Sequence, residues 1–185
     1  MYDQAKQFDC HSPPEIMYAL WWHMRSIEKM SMLPENFLRI QREIGKSNRR
    51  SLIGWLVRVH LELKLKQETL FCAVKLLDKY TSLKSVALDR YKLVGITALR
   101  LACKVDEMGF NSRVAVCYTD GAYSREEVNK MEFDMLKKLE FDCLPPTILT
   151  FLPRVLQLSG ITENLYACDL SMYLCELSLL EVKIQ

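Results

Sequence analysis

The residue of this 185-residue chain that asks most of its neighbours is Glu132. In the run SREEVNKMEFDMLKKLEFDC it falls one helical turn after Val128 and one before Leu136, inside the apolar stripe rather than on the opposite face. An acid there needs a cation, because an unpaired buried charge is very costly. Lys104, leaving the end of the apolar run LDRYKLVGITALRLACKVDE, is the candidate, and its charge suits that helix's C-terminus. Two roles fit such a pair. It is either an internal or half-exposed bridge worth about 0 to 1 kcal/mol, or a polar pair at the edge of a surface that awaits a partner's hydrogen-bonding groups. Catalysis is not indicated: His11, His23 and His60 have no nucleophile or metal-ligand spacing around them, and the chain has no Gly-rich phosphate loop and no H-E-x-x-H. The chain is expected to be no enzyme and to hold neither cofactor nor metal.

The elements that carry this pair are helical. Between Tyr91 and Val105 the apolar residues Leu93, Val94, Ile96, Leu99, Leu101, Cys103 and Val105 point all round a helical wheel, so a helix over Leu88 to Glu107 is buried on every side. Gly95, Ala98 and Ala102 fall at the spacing that lets another helix come close. Ser124 to Glu127 is a capping box that opens the helix of Glu132, which runs to Leu139. Before the hub, Ser12-Pro13-Pro14-Glu15 starts a helix to about Met30 with Ile16, Leu20, Trp21, Met24 and Ile27 as its apolar positions. A short helical stretch from Phe37 to Ile44 stops at Gly45. A helix from Ser47 carries Leu52, Trp55, Leu56, Val59 and Leu63, with Gly54 costing about 1 kcal/mol in its interior. Another spans Gln67 to Thr81 with its stripe at Leu70, Val74, Leu77 and Tyr80; Met108 to Asn111 turns the chain, and Val114 to Tyr118 forms a helical turn or two. Nothing alternates as a strand should, so the chain reads as all-α.

Leu144-Pro145-Pro146-Thr147 marks a domain boundary. Beyond it, Thr147 to Leu158 is helical with Pro153 inside, which should kink it, and a last amphipathic helix carries Tyr166, Leu170, Tyr173, Leu177 and Leu180. Two helices cannot bury both apolar faces alone, so this segment either packs on the first domain or lacks the rest of a second. The net charge of +2 lacks a nucleic-acid footprint. The seven scattered cysteines, without a C-x-x-C pair, suggest reduced thiols. No secretion signal or membrane span is evident, so a nuclear or cytoplasmic protein is expected.

The runs RRSLIGWLVRVH, ETLFCAVKLLDKY, YKLVGITALRLACKVDE, YTDGAYSREEVNKMEFDMLKKLEFDCLPPT and YLCELSLLE resemble the cyclin family, the A- and B-type mitotic members in particular. The resemblance implies 1–46 as an N-terminal extension and helix, 47–144 as a five-helix cyclin box around the central helix, and 145–185 as part of a second cyclin fold. The signature positions of the box are held by Arg49, Asp78, Leu93, Lys104 and Glu132. The implied function is to bind and switch on a cyclin-dependent serine/threonine protein kinase, of G2/M type. In the family the counterparts of Lys104 and Glu132 hydrogen-bond the kinase beside its C helix, the helix preceding the box packs on the kinase, and Phe141 matches a further contact. From the sequence, Phe141 fits a core aromatic equally well.

One part of the pattern is broken. Where such cyclins carry M-R-A-I-L-V-D-W-L, a hydrophobic dock for Arg-x-Leu substrates, this chain has NRRSLIGWL. Leu52 and Trp55 survive beside Tyr91, but Asn48 and Ser51 replace apolar lining, Arg58 replaces an acid, and Lys92 adds a cation. A basic motif would meet like charge, so Arg-x-Leu peptides are expected to bind weakly or not at all. Two alternatives to a kinase activator follow: a cyclin-like scaffold that has lost activation, suggested by this eroded dock, and a cyclin-fold transcription factor, against which the absent basic stripe tells.

Overall fold

The computed structural model describes residues 14–34, 36–106 and 110–181. Its centre is the helix Leu88–Asp106, which by its apolar girth has to be surrounded. We number the helices α1 Pro14–Ser31, α2 Lys46–Leu63, α3 Gln67–Leu83, α4 Leu88–Asp106, α5 Ser112–Tyr118, α6 Arg125–Lys138, α7 Ile148–Leu158 and α8 Leu165–Leu179, with a 3-10 turn at Phe37–Ile40. Helices α2, α3, α5 and α6 all pack on α4, giving a five-helix unit with four helices around one. Among the described residues there is no strand, and no helix is long and apolar enough to cross a membrane.

Burial of α4 runs unbroken from Leu93 to Cys103 and then ends. Val105, counted above with the buried residues, is 42% exposed, and Glu107 lies outside the described residues. Gly95 is where α2 comes closest: a Cβ there would sit 2.9 Å from Leu52 Cδ1, so the small residue at this point of the hub sets the crossing. Gly54 is different. A Cβ at Gly54 would meet nothing within 4 Å, so Gly54→Ala should stabilise the chain by about 0.4 to 1 kcal/mol, read as a higher denaturation midpoint; a lower midpoint would show that the glycine answers a need of packing.

Local chemistry explains the ends of the elements. The Ser124 hydroxyl accepts from Glu127 N at 3.2 Å while Ser124 N donates to Glu127 Oε2 at 2.9 Å, the reciprocal cap expected for α6. Asn111, read as part of a turn, instead caps α5 by accepting from Arg113 N and Val114 N. The stretch from Phe37 is helical only to Ile40, because Gln41 is extended and its side chain is engaged elsewhere. Its Nε2 donates to the carbonyls of Thr81 and Lys84, and its Oε1 accepts from Val86 N. Gln41 thus ties off the end of α3 rather than prolonging its own helix.

Helix α3 is buried more widely than one stripe, since Phe71, Leu76 and Asp78 join Leu70, Val74, Leu77 and Tyr80 inside. It is fastened to α6 by the Tyr80 hydroxyl, which donates to Asp134 Oδ2 at 2.5 Å, and by Lys84 Nζ, which donates to the same oxygen at 2.8 Å. Burial first, then the bond to Asp134, pushes the Tyr80 hydroxyl pKa well up. In α1 the inward face is the expected one in part: Trp21, Met24 and Ile27 are half-buried and Met17 is buried, while Ile16 and Leu20 are exposed. Ser12 and Pro13, which were to start this helix, lie outside the described residues.

The segment beyond Leu144 packs on the five helices. Lys75 Nζ donates to Pro146 O at 2.7 Å, and Gln67 Nε2 donates to Glu176 Oε1 at 2.7 Å. Trp21 of α1 meets Phe151 of α7 edge-on at 5.3 Å. The outer side of α8 stays bare, with Leu165, Tyr166, Tyr173 and Leu174 each more than half exposed.

Candidate functional site

Glu132 is buried on α6, and two cations of α4 meet it. Lys104 Nζ donates to Oε1 and the Arg100 guanidinium pairs with Oε2. Arg100 and Lys104 are four residues apart, one turn on the same face of α4, so the carboxylate sits between them. Their exposures differ sharply: the side chains of Arg100 and Glu132 are 9% and 10% exposed, that of Lys104 is 47% exposed. Arg100 also donates from Nη1 to Asn129 Oδ1 at 3.0 Å. Glu132 and Arg100 therefore neutralise each other inside, while Lys104 reaches the same carboxylate from the surface and keeps donor capacity free.

The two roles considered for the pair are divided among three residues. Arg100 is the internal partner, and it was not identified from the sequence. Its signal was there, in a cation one turn before Lys104 on a helix otherwise apolar at that level.

Phe141 is not a core aromatic. It is 67% exposed, and the chain goes to some length to hold it there. Helix α6 ends with Glu140 N donating to Lys137 O and Phe141 N donating to Leu136 O, the paired bonds of a Schellman cap. Glycine usually follows a helix at the first of these positions; here Glu140 and Phe141 both take left-handed backbone, at φ 53° and 61°. Two consecutive non-glycine residues in that region store strain. Asp142, next along, is anchored by Lys79 Nζ at 2.7 Å. Glu132 and Phe141 thus belong to one helix and its cap.

The remaining signature positions are interior. Arg49 and Asp78 both have fully buried side chains and meet through two parallel bonds, Nε to Oδ1 at 2.8 Å and Nη2 to Oδ2 at 2.7 Å. Arg49 Nη1 donates to Leu179 O at 2.8 Å, so one guanidinium holds α2, α3 and the end of α8 together. Leu93 is 1% exposed and belongs to the core.

Leu52, Trp55, Tyr91 and Lys92, expected to form an altered dock, line one groove of about 380 Å³ between α2 and α4. Arg58 does not line it. Lying nearly one turn beyond Trp55 on α2, it is carried past the groove and is exposed. Lys92 Nζ stands 4.7 Å from the centre of the Trp55 ring, a cation–π contact over the aromatic face.

Among the described residues, no three of His, Cys, Asp and Glu are placed to hold a metal ion. Of the described cysteines, Cys103 and Cys175 are buried, whereas Cys117 is exposed. Burial raises the thiol pKa of Cys143 and Cys175.

Comparison with known proteins gives one consistent result. A family model described as the cyclin N-terminal domain matches residues 19–143. Cyclin-A3-2 of Arabidopsis thaliana is 36% identical over 171 residues, covering 89% of this chain and 46% of that protein. The G2/mitotic-specific cyclin-B of Patiria pectinifera is 34% identical over 177 residues, covering 94% of this chain and 44% of its own. Cyclin-A2 of Xenopus laevis is 34% identical over 181 residues, covering 97% and 43%. The chain thus spans less than half the length of these relatives. Among solved structures, a viral cyclin from herpesvirus saimiri aligns with a TM-score of 0.67 at 19% identity, over 78% of this chain and 65% of that one. That likeness concerns the fold.

Proposed function

The chain belongs to the cyclin family, and from that premise we propose that it binds a cyclin-dependent serine/threonine protein kinase and activates it, in control of the G2/M type. The observation that carries this reading is the uneven burial around Glu132. Arg100 alone satisfies the need of a buried carboxylate for a counter-ion, so Lys104 is not required for internal neutrality. A half-exposed ammonium on a rigid helix end, backed by a fixed carboxylate, is a pre-oriented donor for a partner's carbonyl or carboxylate.

Phe141 and α1 supply the apolar part of the same reading. Phe141 is held in solvent by strained backbone, and α1 exposes Ile16, Tyr18 and Trp22, each more than half accessible. Exposed apolar surface of this kind marks an interaction site. The kinase does the chemistry. Its active arrangement needs a glutamate of its C helix seated against the ATP-binding lysine, and a subunit that binds this arrangement better shifts the population toward it. Moving a kinase from 1% to 99% active takes a differential affinity of about 10⁴. One surface lysine does not supply that, which is why the aromatic contacts belong to the site. We place the protein in the nucleus or cytoplasm, with the kinase and its substrates as partners rather than nucleic acid or membrane.

Mixing the purified chain with candidate kinases tests the reading. A stable complex with stimulated histone phosphorylation is expected. Failure to form a complex with any kinase of the class would contradict it, and a complex without stimulation would favour the scaffold alternative.

A further inference from the structure

We propose that the cavity beneath α1 binds a small planar aromatic acid. It has a volume of about 740 Å³ and is walled by four helices, α1, α3, α7 and α8, a size within the range of small-molecule sites. Where the lining is apolar it is largely aromatic. Phe71, 2% exposed, and Val74 of α3 form the floor, and Trp21 and Phe151 stand over them edge-to-face at 83°. Trp22 also lines the cavity and is more than half exposed, which puts its ring at the opening. Rings set at right angles present both faces and edges, so a flat ligand finds offset-stacked and edge-on partners at once.

The charge of the lining is one-sided. Arg25, Lys29 and Lys75 face a single acid, Glu28. Glu28 Oε2 is already held by Arg25 Nη1 at 2.5 Å, and the same guanidinium lies over the Phe151 ring at 5.9 Å. Lys75 is less well served. It is half-buried, and among the described residues its ammonium donates only to Pro146 O, at 2.7 Å, leaving its other N–H groups without a protein acceptor. Burial lowers its pKa while Glu28 pulls the other way, so its charged form is kept at a cost that an entering anion would reduce. Lys29, one position beyond Glu28, is a second cation that this acid does not pair.

These charges choose among aromatic ligands. A neutral one gains the rings alone, a basic one meets like charge, and an acidic one adds a bond to Lys75 or Lys29 on the side away from the Arg25–Glu28 pair. Occupancy would also bear on α1 itself. This helix carries Ile16 and Tyr18, assigned above to the kinase, so a ligand held between α1 and the helices beneath it would fix the element that the kinase grips. That consequence rests on the kinase-subunit reading; the binding does not.

Isothermal titration calorimetry on the whole chain without kinase tests the proposal, with naphthoate as the probe and naphthamide as its neutral counterpart. Naphthoate should bind at a single site, and the amide about tenfold more weakly, the worth of a charge-assisted bond from a half-buried ammonium. Lys75→Met should weaken naphthoate about tenfold while leaving the amide unchanged, a split that a merely loosened fold would not give. Lys29→Gln, at an exposed position, should weaken naphthoate about threefold at an unchanged melting temperature. No binding at millimolar naphthoate, equal affinity for the amide, or native affinity in a folded Lys75→Met variant would overturn the proposal. Should Lys75→Met not fold, Lys29→Gln decides, and native affinity there overturns it. Since no kinase is present, that failure would leave the kinase reading untouched, and loss of the kinase reading would not alter these affinities.

Discussion

Arg49→Ala is expected to lower the stability of the chain by about 3 to 5 kcal/mol, the cost of breaking a buried ion pair by deleting one partner. A domain of this kind has about 5 to 15 kcal/mol in total, so the variant would be marginal at best. Three bonds set this cost. Arg49 makes a two-pronged contact with Asp78 and a third bond to the carbonyl of Leu179, all at zero side-chain exposure for the ion pair. Alanine leaves the Asp78 carboxylate in the core without its guanidinium and frees the end of α8. Arg49→Lys should recover little, because an ammonium cannot make the parallel pair and reach a third acceptor in the same plane. Equilibrium denaturation in urea measures the loss; a change under about 1 kcal/mol would mean that water or a rearranged neighbour replaces the arginine without difficulty.

Glu132→Ala and Lys104→Ala should behave as opposites in the same measurement. The first deletes the counter-ion of Arg100, a residue 7% exposed whose Nε already lacks a partner. Only the contact with Asn129 would remain, and a loss of about 3 to 5 kcal/mol is expected. Lys104→Ala removes a half-exposed member of the trio and should cost less than about 1 kcal/mol. Equal losses in the two variants would show that the charge is shared evenly and that Lys104 is structural. The distinction has a practical consequence: weakened kinase binding in Glu132→Ala would be confounded by unfolding, whereas in Lys104→Ala it would not.

Much of the helical framework was legible because its causes are local. The apolar girth of α4, the Ser124 box and the small residue at Gly95 each determine their structure within a few positions of the chain. The pairing of Lys104 with Glu132 was legible for a related reason: a carboxylate inside an apolar stripe has few ways to exist. What escaped depends on distant partners or on backbone. Arg100 shares its carboxylate across two helices, and its place one turn before Lys104 on α4 did not say which of the two cations would meet the acid inside. The bond from Arg49 to Leu179 ends on a carbonyl, which no side chain advertises. Gln41 leaves its helix to bind three backbone groups around the end of α3. In α1, Ile16 and Met17 are neighbours of similar hydrophobicity, so periodicity alone does not decide which of them faces inward. Phe141 is turned to solvent by left-handed backbone at two successive residues, a conformation that their identities disfavour.

The central claim is that Lys104 serves a partner rather than the fold, and one measurement addresses it most directly: the dissociation constant of the kinase complex for the native chain and for Lys104→Ala, with melting temperature recorded on the same samples. The account predicts an affinity loss of about 2 to 5 kcal/mol, the cost of truncating a desolvated charged contact, at a melting temperature close to that of the native chain. A loss under about 1 kcal/mol with the fold intact would place Lys104 among ordinary surface bridges and contradict the account.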